Sequence, residues 1–305
     1  MVTSGGGEDL AVQGMWYSGS SLLVDVLSHH TKLTAIPGHL DDFRKPGGIL
    51  DLVQGLDSDP NYLPTFSRPL SFMRKFVRLA FHVSSKSGRQ YLRRERLLAH
   101  FQERLSLVQD LEERKKVAQE WWNELKALYR VREKGALIDG PVYWSQFSQS
   151  NLSLLHVTKT FVVIREPEDQ FAGVTRRQLY FHLLGTQSYD YERNRDQAIK
   201  HVCNRIQAYY EYLLAAVSSF SPGELLVVKY ENLVENPEKT IQFLGEVLDN
   251  HEFHSEGAPL SELVRRSRVN VGIGNNSNVR CQIPNLENLR ELHRQVTKCS
   301  HYLAL

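Results

Sequence analysis

Gly14-Met15-Trp16-Tyr17-Ser18-Gly19-Ser20-Ser21-Leu22-Leu23 is the stretch whose reading decides the fold of this 305-residue chain. The apolar run Leu10 to Trp16 that leads into it has the composition of a buried strand. A tight turn of small residues follows. Leu22, Leu23, Val26 and Leu27 then recur at helical spacing. A strand, a small-residue turn and a helix N-terminus together form a cradle for an anion. Backbone N–H groups without internal partners and the positive end of the helix dipole face one point. The serine hydroxyls add donors. The same pattern also describes an ordinary capped helix after a strand, so the segment needs company before it specifies a site.

The rest of the chain alternates strands and helices. Gly135-Ala136-Leu137-Ile138-Asp139-Gly140-Pro141 reads as a short buried strand ending in a polar turn. Phe161-Val162-Val163-Ile164 is fully apolar and is broken by Arg165-Glu166-Pro167, with a helix expected from Gln170. Ile199 to Val217 carries a helical stripe. Leu225 to Val228 is another apolar strand, and Asn236-Pro237-Glu238 opens a further helix with an N-cap residue, a proline in the first turn and an acid at the dipole's positive end. Apolar strands interleaved with amphipathic helices predict an α/β fold: a P-loop-like central parallel sheet flanked by helices. One domain is expected over 1–305. A helical insertion or lid is expected at about 60–133, because Leu97, Leu98, Phe101, Leu105 and Val108 and then Trp121, Trp122, Leu125 and Leu128 keep three- and four-residue steps. The stretch from Ala35 to Gly48 reads as a loop rich in Gly, Pro and ionisable side chains.

Bulk properties narrow the function classes. Apolar residues make up 41% and charged residues 24%, the balance of an ordinary globular protein. Basic and acidic residues nearly cancel, 37 against 35, which argues against a nucleic-acid groove and leaves room for a local anion site. Cys203, Cys281 and Cys299 lie far apart, fitting neither a metal site nor a disulfide framework, and point to a reducing compartment. No apolar run approaches the ~20 residues that span a bilayer. A cytoplasmic protein without a metal is the expectation, its oligomeric state open. The glycine-rich Met1 to Asp9 is read as a flexible lead-in.

In open α/β sheets ligands bind at the carboxyl ends of the strands. The Ser18–Ser21 turn, Asp139 and Arg165 all belong there. A guanidinium fixed at a strand end suits a phosphate, which it grips with two N–H groups. It equally suits an ion pair with Glu166 or Glu168.

Three further stretches narrow this choice. Val227-Val228-Lys229-Tyr230-Glu231-Asn232-Leu233, running on through Asn236-Pro237 to Phe243-Leu244-Gly245, resembles the strand, "Y-E-x-L", "N-P" and helix segment of sulfotransferases. Val162-Val163-Ile164-Arg165-Glu166-Pro167-Glu168-Asp169 is similar to that family's 3′-phosphate segment. Ser267-Arg268-Val269-Asn270-Val271-Gly272 resembles its nucleotide-closing "S-x-x-N-x-G" stretch. Met15 to Leu23 is similar to its 5′-phosphosulfate loop, and Gly38 to Gly47 to a "G-E-F-x-D-F-R-R-P-G" stretch of bacterial members.

The resemblance implies a transferase that uses 3′-phosphoadenosine 5′-phosphosulfate (PAPS) as donor and releases adenosine 3′,5′-bisphosphate (PAP), with no metal. Its acceptor would be a small-molecule, carbohydrate or lipid hydroxyl. By the same resemblance, Tyr17, Ser18, Gly19, Ser20 and Ser21 stand at the phosphosulfate end. Arg165 and Gly173 stand at the 3′-phosphate, and Arg268, Asn270 and Gly272 at the nucleotide. The catalytic candidates are His39, Asp41, Asp42 and Asp139 as general base and Tyr17 as the loop residue beside the leaving group.

Two residues depart from the family pattern. Tyr17 stands where a lysine or arginine is usual, and it carries no positive charge at neutral pH. Gly173 stands where a serine is usual, with Thr175, Arg176 or Arg177 as substitutes for the missing ligand. Arg44 and Lys45 are candidates to supply the missing charge. A nucleotide-binding or scaffold protein that kept the fold without the chemistry is the alternative. A P-loop kinase is disfavoured, because the first loop has no lysine after its glycine.

Overall fold

The computed structural model describes residues 8–15, 17–30, 32–36, 49–54, 86–131, 134–141, 155–176, 191–218, 220–221, 223–248, 262, 264 and 267–299. Five parallel strands form one sheet: β1 (Asp9–Gly14), β2 (Leu33–Ile36), β3 (Gly135–Pro141), β4 (Val157–Ile164) and β5 (Leu225–Lys229), in the order β2-β3-β1-β4-β5. Their helices are α1 (Ser20–Leu27), α2 (Ile49–Gln54), α3 (Lys86–Leu107), α4 (Leu111–Leu128), α5 (Pro167–Arg176), α6 (Tyr191–Val217), α7 (Tyr230–Glu235), α8 (Pro237–Val247), α9 (Ser277–Arg280) and α10 (Leu286–Cys299).

Side-chain alternation along the strands divides the core in two. Leu10 and Val12 of β1, with Phe161 and Val163 of β4, pack on one face against Leu22, Leu23, Val26 and Leu27 of α1. Ala11, Val162 and Ile164 point the other way, into a cluster with Phe101 of α3, Trp121 and Trp122 of α4, and Ile206 and Tyr210 of α6. Unbroken apolar runs inside the strands, Leu10–Val12, Ala136–Ile138, Phe161–Ile164 and Leu225–Val228, are what a sheet covered on both faces requires.

The chain leaves β1 through α1 toward β2 on one face, then returns through α3 and α4 to β3 on the other. β4 and β5 continue on the far side of β1, with α6 on the face of α3 and α4. Connections in opposite directions on opposite faces are what crossovers of a single hand demand. The reversal makes the carboxyl end of β1, beside β4, a topological switch point, where α/β sheets open a crevice.

The strand after residue 30 was not expected: Leu33–Ile36 pairs in parallel with Gly135–Ile138, so Ala35 and Ile36 belong to a sheet edge and not to a loop. Four residues are too few to show a period. The helix expected from Gln170 begins three residues earlier, because Pro167 is tolerated in a first turn and Glu168 and Asp169 suit its dipole. Asn236 precedes α8 as expected, but its side chain makes no cap hydrogen bond. Helix α10 turns Leu289, His293 and Val296 inward, at the three- and four-residue steps of a helical stripe.

At the amino end of the sheet, Asp9 is buried and accepts three hydrogen bonds. They come from Trp122 Nε1 at 3.0 Å, Lys126 Nζ at 2.9 Å and the Ala136 backbone N–H at 2.8 Å. One carboxylate thus ties α4 and β3 to β1. No helix among the described residues is long and apolar enough to cross a membrane.

Candidate functional site

The site grows from the first turn after β1. Ser18 N–H donates to Met15 O at 2.9 Å and closes a turn over Met15–Ser18. Tyr17 takes φ +64°, and Gly19 caps α1 at φ +97°. The glycine is required there on two counts. Its φ is left-handed, and a β-carbon would lie 2.2 Å from Cδ2 of the Tyr230 ring. Leu22 N–H makes the first helical bond, to Gly19 O at 3.0 Å. Ser20 and Ser21 stand ahead of it, in the positions an α-helix leaves without an internal partner. The Ser18 side chain is fully buried, and its Oγ has no hydrogen-bond partner among the described residues.

Arg165 follows β4, the parallel neighbour of β1, and is only 4% exposed. Its Nη1 donates to Tyr17 O at 3.0 Å, and its Nη2 donates to Asn270 O. The guanidinium lies 4.7 Å above the Tyr230 ring, a cation–π contact, and Nη2 is 3.9 Å from Asp169 Oδ2. Neither Glu166 nor Glu168 takes it as an ion-pair partner in the described structure; Glu168 pairs with Arg290 at 2.6 Å. Arg165 therefore joins the first loop to the C-terminal turn. Its Nε is buried without a partner among the described residues.

The C-terminal turn is built from two short 3-10 segments, Arg268–Asn270 and Ile273–Asn275. Asp169 holds it, accepting from Gly272 N–H at 2.6 Å and from Gly274 N–H at 2.6 Å. Tyr230 Oη adds a bond to Ser267 O at 2.9 Å. Asp169 belongs to the stretch that resembles the family's 3′-phosphate segment, but nothing local shows what it holds, because its partners lie 103 and 105 residues away. Asp169→Asn keeps one acceptor oxygen for two N–H groups. It is expected to lower stability by about 1–2 kcal/mol in urea titration.

The structure brings together Tyr17, Ser18, Gly19, Ser20, Ser21, Arg165, Asn270 and Gly272. Arg268 sits on the same turn and is exposed. Gly173 lies on α5 against Tyr17. Thr175 Oγ1 donates to Ala172 O at 3.1 Å, within its own helix. Asp139 lies within β3, opposite Val12 and two residues short of the strand end, which corrects its expected place at the end; its side chain lies outside the described residues. His39, Asp41, Asp42, Arg44, Lys45, Arg177 and Trp16 also lie outside them, as does the side chain of Arg176. None of the described His, Cys, Asp and Glu residues forms a group of three that could hold a metal.

Behind Arg165 sits a small ionisable cluster. Burial raises the Glu231 carboxyl to about 7, while its Oε1 accepts from Glu166 N–H at 3.0 Å. Burial, and after it the charge of Lys229, lowers His293 to about 4. The signs are opposite. Between its ordinary 4.5 and about 7 the folded chain keeps a proton on Glu231 that the unfolded chain has released, so this contribution falls as pH rises. Between about 4 and 6.5 the unfolded chain protonates His293 and the folded chain does not, so that contribution grows as pH rises. Glu231→Gln removes only the first effect. Its stability relative to the native chain is expected to increase by about 1–2 kcal/mol from pH 5 to pH 8, read by urea unfolding.

A five-stranded parallel sheet with an anion-type turn at its switch point defines a P-loop-like α/β protein. The model of the Sulfotransferase family matches residues 9–252, and the chain belongs to that family. No curated protein matches it. Among solved structures it is similar in fold to the sulfotransferase STF9 from Mycobacterium avium, at TM-score 0.51 and 12% identity over 96% of this chain and 76% of that one. The sulfotransferase domain of the Synechococcus PCC 7002 olefin synthase aligns at TM-score 0.46 and 15% identity, over 100% of this chain and 97% of that one. The sulfotransferase domain from the curacin biosynthetic pathway aligns at TM-score 0.48 and 14% identity, over 95% and 98%.

Proposed function

We propose that this sulfotransferase takes its sulfuryl group from PAPS and passes it to a hydroxyl acceptor, a carbohydrate or glycolipid by preference, releasing PAP. The observation that carries the reading is the convergence of three anion-suited segments at one switch point: the 17–21 turn, Arg165, and the 268–274 turn that Arg165 and Asp169 hold. The residues fit such a donor. The Ser18 hydroxyl is buried and unpartnered among the described residues, the first-turn N–H groups precede the helix bonds, and Arg165 Nε stands without an acceptor among the same residues. When bound, PAPS supplies a sulfuryl group activated on a phosphate leaving group.

In this reading Ser18, Gly19, Ser20 and Ser21 bind the 5′-phosphosulfate end. Arg165, Arg268, Asn270 and Gly272 face the 3′-phosphate and nucleotide. One of His39, Asp41, Asp42 or Asp139 takes the acceptor's proton. Charge develops on the leaving group, and preorganised N–H donors are the means by which such a site stabilises it. Tyr17 gives that charge no cation. The thiols of Cys203, Cys281 and Cys299 are free, in keeping with a cytoplasmic protein.

Tyr17 and Gly173 also favour a second reading, a nucleotide-binding protein without transfer. Two measurements separate the readings. PAP should raise the melting temperature while ATP does not, and labelled sulfate from PAPS should then appear on one of a panel of sugar, phenol and lipid hydroxyls. No PAP response sinks the donor assignment. A PAP response with no transfer to any acceptor selects the second reading.

A further inference from the structure

The two residues that depart from the family pattern touch one another. A β-carbon on Gly173 would lie 3.3 Å from Tyr17 Cβ, a little tighter than an ordinary contact, and 3.4 Å from its Cγ and 3.5 Å from its Cδ1, at van der Waals distance, so any side chain at 173 bears directly on Tyr17. Tyr17 is the third residue of the Met15–Ser18 turn and has φ +64°. That φ is left-handed, the region that favours glycine, and a bulky side chain avoids it unless its surroundings impose it.

Two surroundings do so here. Arg165 Nη1 holds the Tyr17 carbonyl at 3.0 Å, and the half-buried ring packs against the core beside Gly173 of α5. Directly after this clamped residue come Ser18 and the first N–H groups of α1.

We propose that Tyr17 is a positioning residue for the anion loop, and that position 173 is glycine in order to seat its side chain. The pair fixes the turn against α5, so that the direction of the Ser18–Ser21 donors is set by packing at 17 and 173 together with the Arg165 bond. The two departures are then one coupled feature, in which an anchored aromatic replaces the usual cation and the usual serine at once. The proposal rests on the reading of this loop as the anion site.

The test is a double-mutant cycle with two readouts, the melting temperature and the PAP dissociation constant by calorimetry. Gly173→Ala is expected to lower the melting temperature by about 2 °C and weaken PAP about fivefold, by pushing on Tyr17. Tyr17→Phe, which keeps the ring, is expected to hold PAP affinity within about threefold, and Tyr17→Gly to weaken it about tenfold. In the Tyr17→Gly background, Gly173→Ala should cause no further loss in either readout.

A Gly173→Ala penalty that persists in that background overturns the proposal. So does unchanged PAP affinity in Tyr17→Gly. If PAP does not bind the native chain, the donor reading fails by itself, and the cycle is read instead on the thermal shift given by inorganic sulfate. Coupling there supports the anchored loop, and additivity or no sulfate response overturns it.

Discussion

Arg165→Ala is expected to reduce sulfuryl transfer by about 10²–10³-fold and to lower folding stability by about 3 kcal/mol. The size follows from what the guanidinium holds. It is 4% exposed, and its two terminal nitrogens serve the carbonyls of Tyr17 and Asn270. Alanine leaves both carbonyls in a buried setting without that donor, and leaves the Tyr230 ring without its cation. Asp169 keeps its bonds to Gly272 and Gly274 but loses the positive charge 3.9 Å away. The first loop and the C-terminal turn then lose the one side chain described as hydrogen-bonding to both, and Tyr230, which packs on Gly19 and bonds Ser267 O, is left to bridge them.

Arg165→Lys discriminates between charge and geometry. A lysine is a point charge on a flexible stem and cannot reproduce the planar fork that reaches two carbonyls at once. The lysine variant is expected to recover part of the stability and little of the nucleotide affinity. Urea titration and PAP calorimetry on both variants check this. Native-like PAP affinity in Arg165→Lys would show that charge alone suffices.

Asp9→Ala is expected to cost about 2–3 kcal/mol with little effect on the chemistry of the site. Three donors converge on this buried carboxylate: the Trp122 indole, the Lys126 ammonium and the Ala136 N–H. Removing it strands a buried indole N–H and a backbone N–H, and leaves an ammonium that is 23% exposed to recruit water. That partial exposure keeps the estimate below the full cost of breaking a buried pair. Asp9→Asn should be nearly as damaging, because its NH₂ must face one of the three donors. β1 separates Asp9 from the anion loop by about 17–20 Å at 3.3 Å per residue. The rate measured well below the melting temperature should therefore change by less than about twofold. A large loss of rate at full folding would mean that α4 sets the site directly.

Much of the fold was legible along the chain. β1, β3, β4 and β5 each contain an unbroken apolar run of three or four residues, the pattern of strands covered on both faces. The small-residue turn after β1 and the break after Ile164 marked two arms of the site, because a turn and a proline are local events. β2 was invisible: four residues with Thr34 and Ala35 half exposed carry no period. Asp169 stood in the stretch resembling the 3′-phosphate segment, but nothing near it in sequence named Gly272 and Gly274 as its partners. Nor did anything mark the burial that raises Glu231, which comes from elements packed around it after folding.

By itself, then, the sequence determined the alternation of strands and helices, the small-residue turn after β1 and the family, because these rest on hydrophobic period, backbone-permissive residues and ordered motifs. Tertiary structure alone decided how the parts act on one another. It placed Arg165 on the carbonyls of Tyr17 and Asn270, gave Asp169 the two glycine N–H groups, and set Tyr17 against Gly173, 156 positions along the chain. Such contacts depend on parallel register and on packing across the sheet, and no stretch of neighbouring residues encodes those distances.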